Sequence, residues 1–332
     1  MTQHPPTVLV VGLGGTIAMV PEALGSGVAP ALGPDQLVAA IPGLAHLPVS
    51  VETWNAAQVP GASLTIDAVA HLAAELAGRL ASGRYAGAVV TQGTDTLEET
   101  AYLLSLLHPS DHPVIVTGAM RAPSLAGADG PANLLAAVTA AADPQLRGIG
   151  PLVVFNDQVL DPVRTRKTHS TSTAAFAAPD TGPLGHIIEG RVHLLARPIP
   201  HTPHSLPFTH PARVGLITLG LGDDGELLRA AEGRFDGLVI AAFGAGHVPA
   251  GHVEPLQQTA AQIPVVLATR TGAGPTLTHT YAFPGSERDL LARGLIGAGH
   301  LDPYKARLLL TVLLRTGADT AAVRAAFTGQ EA

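Results

Sequence analysis

The chain has 332 residues, 46% of them hydrophobic, which is enough for two ordinary domain cores and excludes a fibrous or disordered protein. A formal charge of −7 and only 4% aromatic residues leave it without the cationic field and stacking platform of nucleic-acid binding, so a small-molecule partner is expected. With no cysteine, disulfides, thiolate metal sites and a cysteine nucleophile are excluded, and a reducing compartment suits the chain.

The opening residues MTQHPP carry no basic segment and no small-residue cleavage site before the first apolar run, which predicts a cytoplasmic protein. Gly, Pro and charged residues interrupt every apolar run well short of the roughly 18 to 20 residues of a membrane span. Over the first 150 residues, short runs rich in Val, Ile and Leu alternate with longer amphipathic or Ala-rich stretches. That is the pattern of βαβ units building a mostly parallel, buried sheet. Strands are predicted at residues 7–12, 47–53, 86–91, 114–118 and 152–155. Helices are predicted at 34–41, 65–80, 95–107 and 130–142, where apolar residues recur at three and four positions.

Residues 197–211 read RPIPHTPHSLPFTHP, and five prolines cannot supply the amide donors of a central strand, so an interdomain linker is expected there. Strands return near 212–219, 237–242 and 264–268, and two last helices are predicted at 302–316 and 319–328. The expected fold is α/β: a larger N-terminal domain, residues 1–196, with a mostly parallel sheet flanked by helices, and a smaller α/β C-terminal domain, residues 212–332.

The first strand runs into Gly12-Leu13-Gly14-Gly15-Thr16-Ile17-Ala18. A glycine-rich turn at the carboxyl end of a strand is where α/β sheets place ligand chemistry. A nucleotide loop competes for such a turn, but the third glycine of the dinucleotide pattern and the Lys-Ser/Thr pair of a P-loop are both missing. The third strand ends in VVTQGTDTLEET, which sets Gly93-Thr94-Asp95-Thr96 on a second strand-to-helix turn that parallel-sheet geometry can bring beside the first. As a plain helix start, Asp95 or Thr96 would cap the helix and Glu98 and Glu99 would favour its positive end. Capping accounts for the acids but not for the whole string.

GGTIA together with TQGTDTLEETA resembles the paired signatures of the bacterial L-asparaginase/glutaminase family. The similarity continues through Gly118-Ala119-Met120-Arg121, Ala128-Asp129-Gly130-Pro131-Ala132-Asn133-Leu134, Phe155-Asn156-Asp157 and Gly182-Pro183-Leu184-Gly185. In the second half, Gly244-Ala245-Gly246-His247 and Leu301-Asp302-Pro303-Tyr304-Lys305-Ala306-Arg307 also resemble family segments.

The resemblance implies hydrolysis of L-asparagine to L-aspartate and ammonia without a cofactor, with glutamine as a minor substrate and Thr16 as nucleophile. Attack by an oxygen nucleophile gives a covalent aspartyl-enzyme that water then hydrolyses. A threonine hydroxyl needs a base to take its proton. By resemblance a relay of Thr94, Lys167 and Asp95 serves, with Lys167 in Arg164-Thr165-Arg166-Lys167-Thr168. Taken alone, that basic segment reads as a solvated loop. Asp95 would also bind the substrate's α-ammonium by charge-assisted hydrogen bonds, with Gly93 and Thr94 beside it.

The chain departs from the family pattern in two loops. The family's lid tyrosine is absent from residues 25–32, where Val28 falls nearest its position, and Tyr281 is the candidate to supply the missing phenol. In Gln58-Val59-Pro60-Gly61-Ala62-Ser63-Leu64, Gly61 and Ala62 take the family's substrate-binding places. Ser63, the hydroxyl of that loop, is open to two readings: a contact to the substrate carboxylate or an N-cap. An acid from a neighbouring subunit completes the family's site, and counting back from Leu301-Asp302-Pro303 gives Glu287. A homodimer or homotetramer is thereby implied.

Fifteen histidines raise a metal hypothesis, but His201, His204 and His210 are scattered through the proline-rich stretch. His247 and His252 bracket a glycine-containing loop without an acidic ligand cluster, so no metal is implied and His247 is a pocket candidate. No serine has glycines two residues to either side, which removes the nucleophile elbow. An ammonia-supplying subunit of an amidotransferase would need an added domain. A non-catalytic amino-acid sensor would bind aspartate without turnover, and it has no need for Thr16, Thr94, Asp95 and Lys167 together.

Overall fold

A computed structural model describes residues 5–21, 28–30, 32–109, 111–200 and 202–328. The chain divides into two compact units, Met1–Pro203 and His204–Ala332, and the division falls inside the proline-rich stretch.

Among the described residues of the first unit, eight strands form one sheet: β1 (Thr7–Gly12), β2 (Ser50–Asn55), β3 (Gly87–Thr91), β4 (Val114–Thr117), β5 (Pro151–Phe155), β6 (Gln158–Leu160), β7 (Gly185–Ile188) and β8 (Arg191–Leu194). Their order across the sheet is β8-β7-β6-β5-β4-β3-β1-β2. The five strands from β2 to β5 pair in parallel and the last three antiparallel. β3, β4 and β5 are buried along their whole length, as continuous apolar strands covered on both faces are. β2, at the edge, has no buried residue. It begins at Ser50, later than its apolar run, because pairing with β1 starts at Thr7 opposite Ser50.

Helices α1 (Pro34–Ala39), α2 (Ile66–Ala81), α3 (Leu97–Leu107) and α4 (Gly130–Ala142) connect the parallel strands. The small residues of α4 let it approach the sheet so closely that a Cβ on Gly87 would stand 2.3 Å from the Ala141 carbonyl oxygen. Val8, Val10, Val89, Ile115 and Val154 of the sheet share a core with Leu134, Ala137 and Ala141 of α4. The antiparallel extension starts at a tight turn through Asn156 and Asp157, whose φ values of 50° and 57° are left-handed, as a two-residue hairpin requires.

The connectivity of the parallel strands matters for the site. From β1 the chain crosses to β2 on one side and then returns to β3 on the other. The carboxyl ends of β1 and β3 therefore flank a topological switch point, the place where an α/β sheet opens a crevice.

The second unit carries four parallel strands among its described residues, β9 (Val214–Thr218), β10 (Gly237–Ala242), β11 (Val265–Thr269) and β12 (Ile296–Gly297), adjacent in that order. Helices α5 (Glu226–Ala231), α6 (Val253–Ala260), α7 (Glu287–Ala292), α8 (Pro303–Arg315) and α9 (Thr320–Thr328) complete it. Ile217, Leu238, Ile240, Val265 and Leu267 pack with Leu228, Val253, Leu256 and Leu290. Asp302 caps α8 by accepting from the Tyr304 and Lys305 amides, and its other oxygen lies 2.9 Å from the buried Lys305 Nζ. No helix of the described residues is long and apolar enough to cross a membrane.

Candidate active site

Three stretches of backbone meet at the switch point. The Leu13 amide donates to the Thr91 carbonyl at 2.9 Å, and the Val59 amide donates to Leu13 at 3.0 Å, so the turn after β1 is held from both sides. Gly14 and Gly15 adopt φ of 95° and 84°, the left-handed region that favours glycine. Space excludes a side chain as well: a Cβ on Gly14 would lie 2.7 Å from the Val59 oxygen, and one on Gly15 2.0 Å from the Gly93 nitrogen. Gly61 is equally confined, with the Gly93 oxygen 2.9 Å from a Cβ built there. Thr16 and Thr94 each follow immediately after one of two glycines in backbone contact, so the two motifs are brought side by side. Thr16 opens a 3-10 turn, Thr16–Ala18, in which Ile17 and Ala18 are buried. Its own side chain is partly exposed.

Thr94 is buried and accepts a hydrogen bond from Lys167 Nζ at 3.0 Å, while Asp95 Oδ1 lies 3.6 Å from the same nitrogen. The lysine side chain is 18% exposed and the aspartate 63%, so one wall of this arrangement is dry and the other open. A lysine bond to a hydroxyl in such a setting contributes about 1.5–3 kcal/mol, and the exposed ion pair no more than about 1 kcal/mol. Lys167 is therefore not in a solvated loop. It stands in a two-residue strand, Arg166–Lys167, antiparallel to Phe176–Ala177, and its backbone amide donates to the Glu98 carboxylate.

For Thr96 the helix-cap reading gives way, whereas Glu98 and Glu99 do stand in the first turn of α3. Thr96 occupies the N-cap position of α3 but makes no capping bond. Its hydroxyl donates to the Gly61 carbonyl at 2.8 Å and ties the turn after β3 to the loop after β2.

The N-terminal asparaginase family model matches residues 7–200, and the C-terminal glutaminase/asparaginase domain model matches 213–327. The chain belongs to the asparaginase family. It is 40% identical to a probable L-asparaginase of Deinococcus radiodurans over 97% of each chain. It is 34% identical to an L-asparaginase of Bacillus licheniformis, covering 92% of this chain and 95% of that one. Among solved structures, a probable cytoplasmic L-asparaginase from Campylobacter jejuni superposes with a TM-score of 0.86 at 30% identity, covering 97% of this chain and 99% of that one.

Other asparaginase-family segments noted in the sequence are scaffold here. Asp129 accepts from the Met120 and Arg121 amides, and buried Asn133 donates to the Gly118 carbonyl while accepting from the Asn156 amide. These bonds fix the ends of β4 and β5 beside the crevice. In the loop after β2, Gly61 is buried whereas Ala62 and Ser63 are exposed. Ser63 does not cap α2: Thr65 does, accepting from the Ala68 amide at 3.1 Å. Val28 begins the strand Val28–Pro30, which pairs antiparallel with Met19–Pro21. Gly25, Ser26, Gly27 and Ala31 of the lid stretch, and His201, lie outside the described residues.

Tyr281, His247 and Glu287 belong to the second unit. The Tyr281 ring stands edge-on to His247 at 4.7 Å between centroids, and Phe283 lies 5.0 Å from the imidazole and 6.1 Å from Tyr281, so the three rings cluster together. Glu287, expected by family likeness to reach a neighbouring subunit's substrate, is engaged here by its own chain. Its side chain is fully buried within its own chain, where Oε1 accepts from the Thr280 and Tyr281 amides at 2.9 and 2.8 Å. Its Oε2 lies 3.3 Å from His247 Nε2, close enough for ion pairing but not aligned as a hydrogen bond. Burial pushes the Glu287 carboxyl up, yet the amide donors and the His247 charge outweigh it and hold the group below its ordinary value. The geometry makes Glu287 the anchor of the loop that carries Tyr281.

Two contributors were not singled out in the sequence. Glu98 read as a helix-dipole acid, and Lys167 lies 69 residues away along the chain, so no local spacing reveals their bond. Thr96 read as a cap, and its partner Gly61 is equally remote in sequence.

Proposed function

We propose that this chain hydrolyses L-asparagine to L-aspartate and ammonia through a covalent intermediate on Thr16. The observation that carries the reading is the Lys167 Nζ to Thr94 Oγ1 bond, on the turn whose Gly93 abuts Gly15. A hydroxyl paired with an amine offers a route for a proton, which a threonine nucleophile lacks by itself.

In the first half-reaction the Thr16 oxygen attacks the side-chain amide carbon. Its proton leaves through the Thr94–Lys167 pair, and a proton returns to the departing nitrogen so that ammonia, not amide ion, is released. In the second half-reaction water gives up a proton by the same route and attacks the ester, and Thr16 recovers its hydroxyl as aspartate forms. Asp95, largely open to solvent yet beside the lysine, is suited to receive the substrate's α-ammonium. Gly61, Ala62 and Ser63 offer amides and one hydroxyl to the α-carboxylate. Glutamine, one methylene longer, reacts in the same chemistry more slowly. Self-association to a dimer or tetramer is part of the same reading by family likeness.

Ammonia release with L-asparagine and with L-glutamine, for the wild type and Thr16→Ala, tests the proposal. Release from asparagine that is lost in Thr16→Ala supports it. Tight aspartate binding with no release from either amide would favour a sensor instead.

A further inference from the structure

The lysine that serves Thr94 is held at two points by one piece of chain. Its Nζ donates to Thr94, on the turn from β3 into α3, and its backbone amide donates to the carboxylate of Glu98, four residues on in the first turn of α3. We propose that Glu98 is a positioning residue that sets Lys167 Nζ on the Thr94 hydroxyl. This rests on the reading of Lys167 as the proton-transfer partner of Thr94.

The local backbone shows why such a hold is needed. Arg166–Lys167 is only two residues long and its one ladder partner is Phe176–Ala177. The ladder uses the neighbouring amide, Thr168 donating to the Ala175 carbonyl at 2.7 Å. The Lys167 amide faces the other way, toward α3, where the Glu98 carboxylate receives it. A lysine amine at the end of a flexible four-carbon stem reaches a fixed point reproducibly only when its backbone is fixed. A carboxylate accepting a backbone amide is a charge-assisted bond, stronger than a neutral one. Because Glu98 and Thr94 move together, the bond references the lysine to the hydroxyl itself rather than to the distant remainder of the fold.

The competing account gives Glu98 only the role of an acid in the first turn of α3, favourable to the helix dipole. The two accounts separate on length and charge. Glu98→Gln keeps an acceptor oxygen at the same reach and removes the charge, whereas Glu98→Asp keeps the charge and shortens the reach. Both are compared with the wild type by kcat, KM and thermal unfolding, with Lys167→Met measured in parallel. The proposal expects Glu98→Gln to keep kcat within about threefold. It expects Glu98→Asp to lose about tenfold to a hundredfold in kcat, the scale of a small misplacement of a catalytic group, with KM and the unfolding temperature little changed. A Gln variant that falls with the Asp variant, or an Asp variant that holds its kcat, overturns it. Ammonia release that survives Lys167→Met overturns the underlying reading of the lysine, whatever the Glu98 variants do.

Discussion

Gly15 and Gly93 meet backbone to backbone, so that a Cβ on Gly15 would stand 2.0 Å from the Gly93 nitrogen and 2.2 Å from its Cα. The obstruction is main chain and cannot rotate away. Gly15→Ala therefore has to part the two turns, and its φ of 84° adds strain of about 1–3 kcal/mol. The expected outcome is a lowered unfolding temperature together with a loss of ammonia release of about a hundredfold or more, because the two threonines are displaced from one another. Ala at this position with wild-type activity would show that the contact does not set the site.

Thr96 links the second motif to the substrate loop through Gly61. Thr96→Val removes that bond while keeping the side-chain shape. Stability is expected to fall by about 1 kcal/mol. Steady-state kinetics are expected to show KM raised several-fold with kcat nearly kept, since Gly61, Ala62 and Ser63 address the substrate rather than the proton relay.

Acid should weaken the second unit through three carboxylates held low there, Asp223, Glu287 and Asp289. Asp223 is held below its ordinary value first by its bond to buried His252, at 2.8 Å, and then by the Gly225 amide. Glu287 is held low despite burial, by the amides around it and by His247. A depressed folded-state value means each contribution is complete above the unfolded value and disappears as pH falls through the folded one. The carboxylate contribution is therefore expected to be flat until the carboxylate range and to decline below it, whereas His108 and His112 in the first unit, whose values burial lowers, begin to cost stability earlier, as pH falls through the ordinary imidazole range. Asp223→Asn, which has nothing to titrate, should show a lower plateau and a shallower acid decline. An unchanged acid slope in that variant would remove Asp223 from the account.

The expectation that Tyr281 supplies the phenol missing from residues 25–32 is open to a direct test. Its ring contacts with His247 survive in Tyr281→Phe, so that substitution isolates the hydroxyl. Turnover is expected to drop strongly while the unfolding temperature stays within a degree or two of the wild type, on the order of a lost surface group. Near-normal turnover would mean that Thr16 loses its proton without any help from this tyrosine.

What the sequence made legible follows from the range of the interactions involved. β1, β10 and α4 occupy the predicted residues because buried apolar runs and a Gly-Pro start are local signals. β6, β7 and β8 went unforeseen: they are three or four residues long and mix buried, half-buried and exposed positions, too short to express a period. The Asn156-Asp157 pair at their first turn was the available clue. At the site, the glycine and threonine strings stood out, since their composition is itself the constraint. The second ends of their bonds did not, because Lys167 to Glu98 and Thr96 to Gly61 join residues that only the folded sheet brings together. Glu287 likewise gave no sequence sign of its bonds to the Thr280 and Tyr281 amides, which hold it within its own chain.

The central claim is that Thr16 carries the acyl group. Acid quenching of the wild type during turnover of L-asparagine, followed by peptide mapping by mass spectrometry, locates any covalent intermediate directly. The account predicts an aspartyl ester on the peptide containing Thr16, at the threonine itself, and none in Thr16→Ala. An aspartyl group on Thr94 or on any other side chain, with Thr16 unmodified, would contradict it.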